Sequence, residues 1–557
     1  MRYKLIVILG LFSVLFVNAQ VTNEGEPNSW SIVNKKSIAP MLMKSFDLNK
    51  IKAEDVVNDK DRATPYRFGY ELKVNLGLNN SGVWDEFENG DRMWRINIIS
   101  DGAKSINFIF DTYRVPRGAT LYVYNNDRTD VLGAYTNIFN RPDEMLGTWL
   151  VEGDNVWLEY FEPASVRGQG RLNIAKVIHG YRSITDAMVK QKALGSSGDC
   201  NHDVDCPVGA DFDALKDELK RSVGFIILNE FVCTGTLINN TSNDQAPYFL
   251  TANHCESGST STWAFRFNWI SPDPSCGTTL ASEDAAEDQT TSGATVLASN
   301  PKSDMKLLQL DGGLDAAWNL IWAGWDRTGN APDFVVGIHH PAGDIMKVCR
   351  EDIPPTKFLL DFNGEPQTET WQIEDWDIGV TEGGSSGSAI FDPNGRIIGQ
   401  LAGGSAACNG TDDNNLPDFY GRFDTSWDFG DTDSNSLKPW LDPEGTNATT
   451  LDRLAQDGST PPTPPDPTPP TPEEETEEVV LFFQPNKAVV TISNTIPNNI
   501  VTYSIYDISG SLVDSGKVIS EKEDVNVTDK SSGMYFVYIE NSNGTSFTKK
   551  IIISQKF

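Results

Sequence analysis

The sequence predicts an all-β protein built from several folded units, and three observations predict it. Short runs alternate apolar and polar residues, as in Thr120-Leu121-Tyr122-Val123-Tyr124, Val156-Trp157-Leu158-Glu159-Tyr160 and Val501-Thr502-Tyr503-Ser504-Ile505-Tyr506, which is the period of a half-buried strand. Gly, Pro and Asn break these runs at short intervals. A Pro-, Thr- and acid-rich stretch from Gly458 to Glu478 cannot bury apolar area and separates the last unit from the rest.

In chain order, Arg2 and Lys4 precede an apolar run from Leu5 to Val17 and then Asn18-Ala19-Gln20, the pattern of a signal peptide over residues 1–19. The run is too short to span a bilayer, so no transmembrane anchor is expected. Residues 20–192 read as a cysteine-free β-rich unit, an antiparallel sandwich with no visible chemistry of its own. Residues 193–457 carry the cysteines and many short strands, residues 458–478 are the linker, and residues 479–557 form a small terminal β-sandwich. The 557 residues carry a net charge of −33, from 45 Lys and Arg against 78 Asp and Glu. Phosphate backbones and anionic membranes need positive potential, so nucleic acid is excluded as a partner. Nothing calls for a cofactor or metal, and the chain reads as a monomer.

The central unit has the residues that acyl transfer through a serine requires: a nucleophile, an imidazole base, a carboxylate to hold it and paired N–H donors. Small residues flank Ser386 in Gly383-Gly384-Ser385-Ser386-Gly387-Ser388-Ala389, so the N–H groups of Gly384 and Ser386 are the candidate oxyanion hole. Upstream, Cys233-Thr234-Gly235 and Ala252-Asn253-His254-Cys255 place a histidine where a Cys233–Cys255 bridge would pin it beside a strand. Asp304 opens the apolar strand Met305-Lys306-Leu307-Leu308. The chain order His254, Asp304, Ser386 is the chymotrypsin order.

These residues, with Tyr248-Phe249-Leu250-Thr251-Ala252, Trp322-Ala323-Gly324-Trp325-Asp326-Arg327, Ile338-His339-His340-Pro341, Gly379-Val380-Thr381-Glu382 and Tyr420-Gly421-Arg422, resemble the lysyl endopeptidases, bacterial relatives of trypsin. The resemblance implies a chymotrypsin-like double β-barrel with the site in the cleft between barrels. It also implies the bridges Cys200–Cys408, Cys206–Cys276 and Cys233–Cys255, leaving Cys349 as a buried thiol. Bridging is favoured over the rival reading of Cys200, His202 and Cys206 as metal ligands. His339 and His340 read as structural.

By the same resemblance, Asp418 is the specificity carboxylate and Gly403 and Gly404 allow the substrate backbone to pair as an added strand. The family has a histidine where this chain has Ala402, and its tryptophan partner is absent near Asp361, so the preference for Lys over Arg is open. Ser385 stands where trypsin has the aspartate that captures a new N-terminus, so activation is expected through removal of the N-terminal unit. Lys190 and Lys192 precede Ala193-Leu194-Gly195-Ser196-Ser197-Gly198 and are the expected self-processing sites.

The terminal unit resembles the C-terminal sorting domains of type IX secretion, through Ile505-Tyr506-Asp507-Ile508-Ser509-Gly510, Ser532-Gly533-Met534-Tyr535-Phe536-Val537 and Lys549-Lys550-Ile551-Ile552-Ile553. This implies export across both membranes, to the cell surface or beyond, with the type IX machinery as partner. The expected function is a secreted serine endopeptidase that cuts proteins and peptides after basic residues, Lys foremost. The alternatives are a protease-shaped adhesion protein and a serine endopeptidase of other specificity.

Overall fold

The structure, a computed structural model, describes residues 25–60, 64–182, 197–285, 289–362, 365–430 and 432–461, and in the C-terminal unit 479–484, 489–494, 501–518, 522–527, 530–531, 533–541 and 546–553. The signal peptide, Lys190, Lys192, Ser532 and linker residues 462–478 lie outside the described residues. Two compact units emerge, Met1–Thr463 and Pro464–Phe557.

In the first unit, residues 69–180 form a sandwich of two mainly antiparallel sheets. One is centred on Asn155–Glu162 between Arg92–Ile99 and Thr120–Asn125, the other on Arg171–Gly180 between Ser105–Arg114 and Gly69–Gly77. Alternate inward residues such as Ile96, Ile98, Val156, Leu158 and Tyr160 build the core. That core continues into Phe225, Ile227, Val232 and Trp269, so the sandwich shares its apolar interior with the face of the next sheet.

Two mainly antiparallel sheets follow, the expected pair of barrels. The first runs from Gln289–Ser292 through Ala264–Phe267, Val223–Leu228, Phe231–Leu237, Tyr248–Ala252 and Met305–Leu310 to Ala294–Asn300. The second includes Val335–His339, Lys347–Glu351, Ala389–Phe391, Arg396–Gly404 and Asp418–Arg422, with the hairpin Thr356–Phe362 and Glu365–Ile373 at one edge. Leu250, Met305 and Leu307 from one sheet meet Val336, Ile338, Val348 and Ile397 from the other in a single buried cluster. This seam fixes how the catalytic candidates of the two sheets face each other. The bridges Cys200–Cys408, Cys206–Cys276 and Cys233–Cys255 all form, spanning 208, 70 and 22 positions. Closing such loops stabilises by about 3–5 kcal/mol each in the chain-entropy picture. Cys349 is free and buried.

The C-terminal unit is β-rich as expected. Val501–Asp507 lies between Leu512–Val518 and Gly533–Asn541, and Val489–Asn494 between Val479–Gln484 and Lys522–Asn526, over a core that includes Val490, Ile505, Val525 and Val537. Among the described residues no helix is long and apolar enough to cross a membrane.

Candidate active site in the inter-barrel cleft

Asp304 sits at the end of a turn that both barrels hold. Its N–H donates to the Pro301 carbonyl (3.3 Å), and its own φ of 52° is a left-handed conformation that aspartate tolerates better than most residues. Gln400 Nε2 donates to the Ser303 carbonyl (2.6 Å), and the Ser303 and Ser426 hydroxyls are 2.6 Å apart. Gly421 packs so close that a Cβ there would lie 1.7 Å from the Ser303 carbonyl oxygen. Glycine at 421 is therefore a condition of the turn.

The carboxylate so placed divides its oxygens over one residue. Oδ1 accepts the backbone N–H of His254 (2.8 Å) and Oδ2 faces His254 Nδ1 (2.7 Å). An ionised carboxylate only accepts, so Nδ1 carries the proton and Nε2 is left as the acceptor. Nε2 is buried and bonded to no described group. Phe362 covers the ring edge-on at 5.4 Å, and the Cys233–Cys255 bridge ties the residue after His254 to a neighbouring strand. Lys306, two residues beyond Asp304, gives its ammonium to the Cys255 carbonyl (2.7 Å), and burial lowers its pKa.

Ser386 lies across the seam with 6% exposure. Its carbonyl accepts from Thr234 N–H (2.9 Å), and the Gly387 N–H donates to Leu401 O (2.9 Å). A Cβ at Gly387, whose φ is +83°, would strike Thr251 Oγ1 at 2.2 Å. The two candidate oxyanion donors are set by their peptide partners. Ala342 N–H donates to Gly383 O, and Ser388 N–H to Ser385 O (3.0 Å). A trans peptide points its C=O and N–H in opposite directions. The N–H groups of Gly384 and Ser386 are thus turned away from those bonds, and neither donates to a described group.

Below the loop, Ser385 Oγ accepts from Glu382 N–H (3.2 Å) and meets His339 Nδ1 (2.7 Å), while Thr234 Oγ1 donates to Gly384 O (2.9 Å) and accepts His340 N–H (3.1 Å). His339 and His340 are fully buried, and burial before all else pushes both down to about 3. Sequence reasoning missed Thr234 and this bracing. The one signal available was that Thr234 adjoins Cys233 in the strand facing the serine loop.

Asp418 is 1% exposed. Trp376 Nε1 (2.8 Å) and Thr381 Oγ1 (2.7 Å) both donate to its Oδ2. Gly404 pairs with it across the sheet, and Gly403 pairs with Phe419. Ala402 is buried at the irregularity between Leu401 and Gly403, so no ring projects from this position. Phe362, next to Asp361, supplies the aromatic contact to the His254 ring. Cys349 lies close behind, its thiol pushed up by burial and by Asp418.

Residues 194–421 match the family described as "Lysyl endopeptidase, C-terminal domain". The central unit is similar to the lysyl endopeptidases. A lysyl endopeptidase of Pseudomonas aeruginosa is 27% identical over 271 residues, which are 46% of this chain and 57% of that protein's length. The chain therefore spans little more than half of this lysyl endopeptidase relative. Residues 481–554 match "Secretion system C-terminal sorting domain". Among solved structures, the Rv3671c protease of M. tuberculosis H37Rv in its inactive form is 19% identical, over 39% of this chain and 93% of that one, with a TM-score of 0.25. The MamO protease domain of Magnetospirillum magneticum is 12% identical over 37% and 93%, also with a TM-score of 0.25. Neither likeness bears on the site, whose description rests on the contacts above.

Proposed function

We propose that this chain is a secreted serine endopeptidase that hydrolyses peptide bonds after basic residues, Lys foremost, through an acyl-enzyme. The carrying observation is the His254–Asp304 pair, whose Nε2 meets no described group, beside a serine loop that reaches within 3.7 Å of the Cys255 sulfur and whose two N–H groups donate to no described group. In this reading Ser386 Oγ attacks the carbonyl carbon and passes its proton to His254 Nε2, while Asp304 holds the imidazolium. The Gly384 and Ser386 N–H groups take the oxyanion. The leaving amine receives the proton from Nε2, and water then repeats the sequence to release the acyl half. Asp418 supplies the charge that a buried substrate ammonium requires, and Gly403 and Gly404 carry the substrate backbone.

The sorting-domain match supports export by type IX secretion, and the N-terminal run supports passage across the inner membrane. Maturation in this reading is cleavage at Lys190 or Lys192, which releases residues 20–192. The test is mass-spectrometric mapping of a protein digested with the purified chain and with its Ser386→Ala form. Cuts after Lys, with some after Arg, are expected from the parent, and the variant should lose about 10⁶-fold in kcat. Cuts that ignore the preceding residue sink the specificity, and a variant as active as the parent sinks Ser386 as nucleophile.

A further inference from the structure

Lys306 is a buried charge to which the proposed reaction gives no task. It lies on the strand Met305–Leu310 with 5% exposure. Its ammonium donates to the Cys255 carbonyl (2.7 Å) and stands 5.5 Å over the Trp263 ring. Cys255 and Trp263 belong to the apolar core of the first barrel, with Phe249, Phe265 and Leu308. Across the sheet the partners of Lys306 are the neutral Thr251 and Ser299. The carboxylates whose charge reaches it are Asp304 and the exposed Glu256, and burial outweighs them and lowers its pKa. An apolar residue of similar volume in place of a buried charge is often neutral or stabilising. Packing alone therefore gives no reason for an ammonium at this position.

What the ammonium holds is the turn that carries the base. Asn253 N–H donates to the Asp304 carbonyl and His254 N–H to Asp304 Oδ1, both at 2.8 Å, and Cys255 N–H donates to Ala252 O (3.2 Å). The Cys255 carbonyl comes next along the chain, and Lys306 is its donor. Asp304 and Lys306 thus grip three consecutive residues, Asn253 to Cys255, from the start of one strand. The Cys233–Cys255 bridge holds the Cys255 side chain, whereas a bond to its carbonyl fixes the planar peptide that follows. Trp263, under the ammonium, donates Nε1 to Ser257 O (2.8 Å) and carries the same clamp farther along the turn. A charge-assisted hydrogen bond is stronger than a neutral one, and misplacing a reacting group by about 1 Å can cost about 10²-fold in rate.

We infer that Lys306 is a positioning residue for the base, its ammonium fixing the Cys255 peptide so that the His254 ring is held between Asp304 and Ser386. The inference rests on the serine endopeptidase reading.

The experiment compares the purified full chain with its Lys306→Met form, counting kcat per site labelled by a small phosphonate probe for Ser386 and unfolding both proteins in urea. Met is of similar length and has no donor, and because the partner is a neutral carbonyl its introduction strands no opposite charge. In Lys306→Met, kcat for a Lys peptide should fall about tenfold, with KM within about twofold and a urea midpoint no lower than the parent's. Lys306→Gln, which offers an N–H donor without the charge, should lose only about threefold. An unchanged kcat in Lys306→Met, a loss that comes with a lower urea midpoint, or equal losses in the two variants overturns the inference and leaves the protease reading standing. Should Lys306→Met not fold, Lys306→Thr takes its place and is read by the same criteria. A parent chain that neither labels nor cuts overturns the protease reading, and this inference with it.

Discussion

Two places in the double-barrel unit hold buried histidines whose Nε2 meets no described group, and they differ in what faces Nδ1. His254 presents Nδ1 to the Asp304 carboxylate, whereas His339 presents it to the Ser385 hydroxyl and His340 to the Asp344 carbonyl. A carboxylate can hold an imidazolium in place. A hydroxyl or a carbonyl gives a buried cation far less, and burial keeps the second pair neutral, pushed down to about 3. In the proposed function, the Nδ1 partner is what separates His254, read as the base, from His339 and His340, read as braces.

The strongest way to break that contrast is to give His254 a neutral partner too. Asp304→Asn retains the shape of the turn but can leave the imidazole in the wrong tautomer, and kcat should fall about 10⁴-fold with KM little changed. A loss under about tenfold would mean that Asp304 does not orient the base. The next effect concerns a second buried carboxylate. Asp418 has neutral donors, Trp376 and Thr381, on one oxygen. Asp418→Ser should lower kcat/KM for Lys substrates about 10³-fold, because a desolvated ammonium loses its countercharge. Slow cutting after other residues should survive, and an unchanged preference for Lys over Leu places specificity elsewhere.

Much of this was legible in the sequence because its signals are local. The triad candidates each lie in a short motif, strand alternation marks the sheets, and the family resemblance carries the three bridges that form. What was not legible depends on long-range contact. Nothing near Gly421 announces that it packs on the Ser303 carbonyl and so sets the Asp304 turn. The strand pairing of Tyr66–Arg67 with Phe231–Val232 joins positions far apart in the chain. His339 reads as structural from its place at a strand end, but its bond to Ser385 joins positions 46 residues apart.

The smallest expected effect tests the neutral side of the comparison through stability. His340 stacks on Trp269 at 5.7 Å and packs against Phe225 at 5.3 Å, and its Nδ1 donates to Asp344 O at 3.0 Å. Arg266 and Lys347 add positive charge nearby, although burial is the larger cause of its low pKa. In the unfolded chain the ring titrates near 6.5. Between about 6.5 and about 3 the unfolded state takes up a proton that the folded state refuses, so stability is lost as pH falls through that range. At pH 5, about 1.5 units below the unfolded value, the loss is about 2 kcal/mol for this one ring. Carboxyls whose pKa burial raises work in the opposite direction. Burial raises Glu351 to about 8 and Asp392 to about 7, so the folded state gains relative stability as they protonate. The parent curve therefore mixes both signs, and the informative quantity is its difference from His340→Gln, which removes the titrating ring. Urea unfolding of both proteins at pH 7.5 and pH 5 should show the parent losing about 2 kcal/mol more than the variant over that interval. Parallel losses would mean that His340 is protonated in the folded state near pH 5, and the contrast with His254 would then rest on geometry alone.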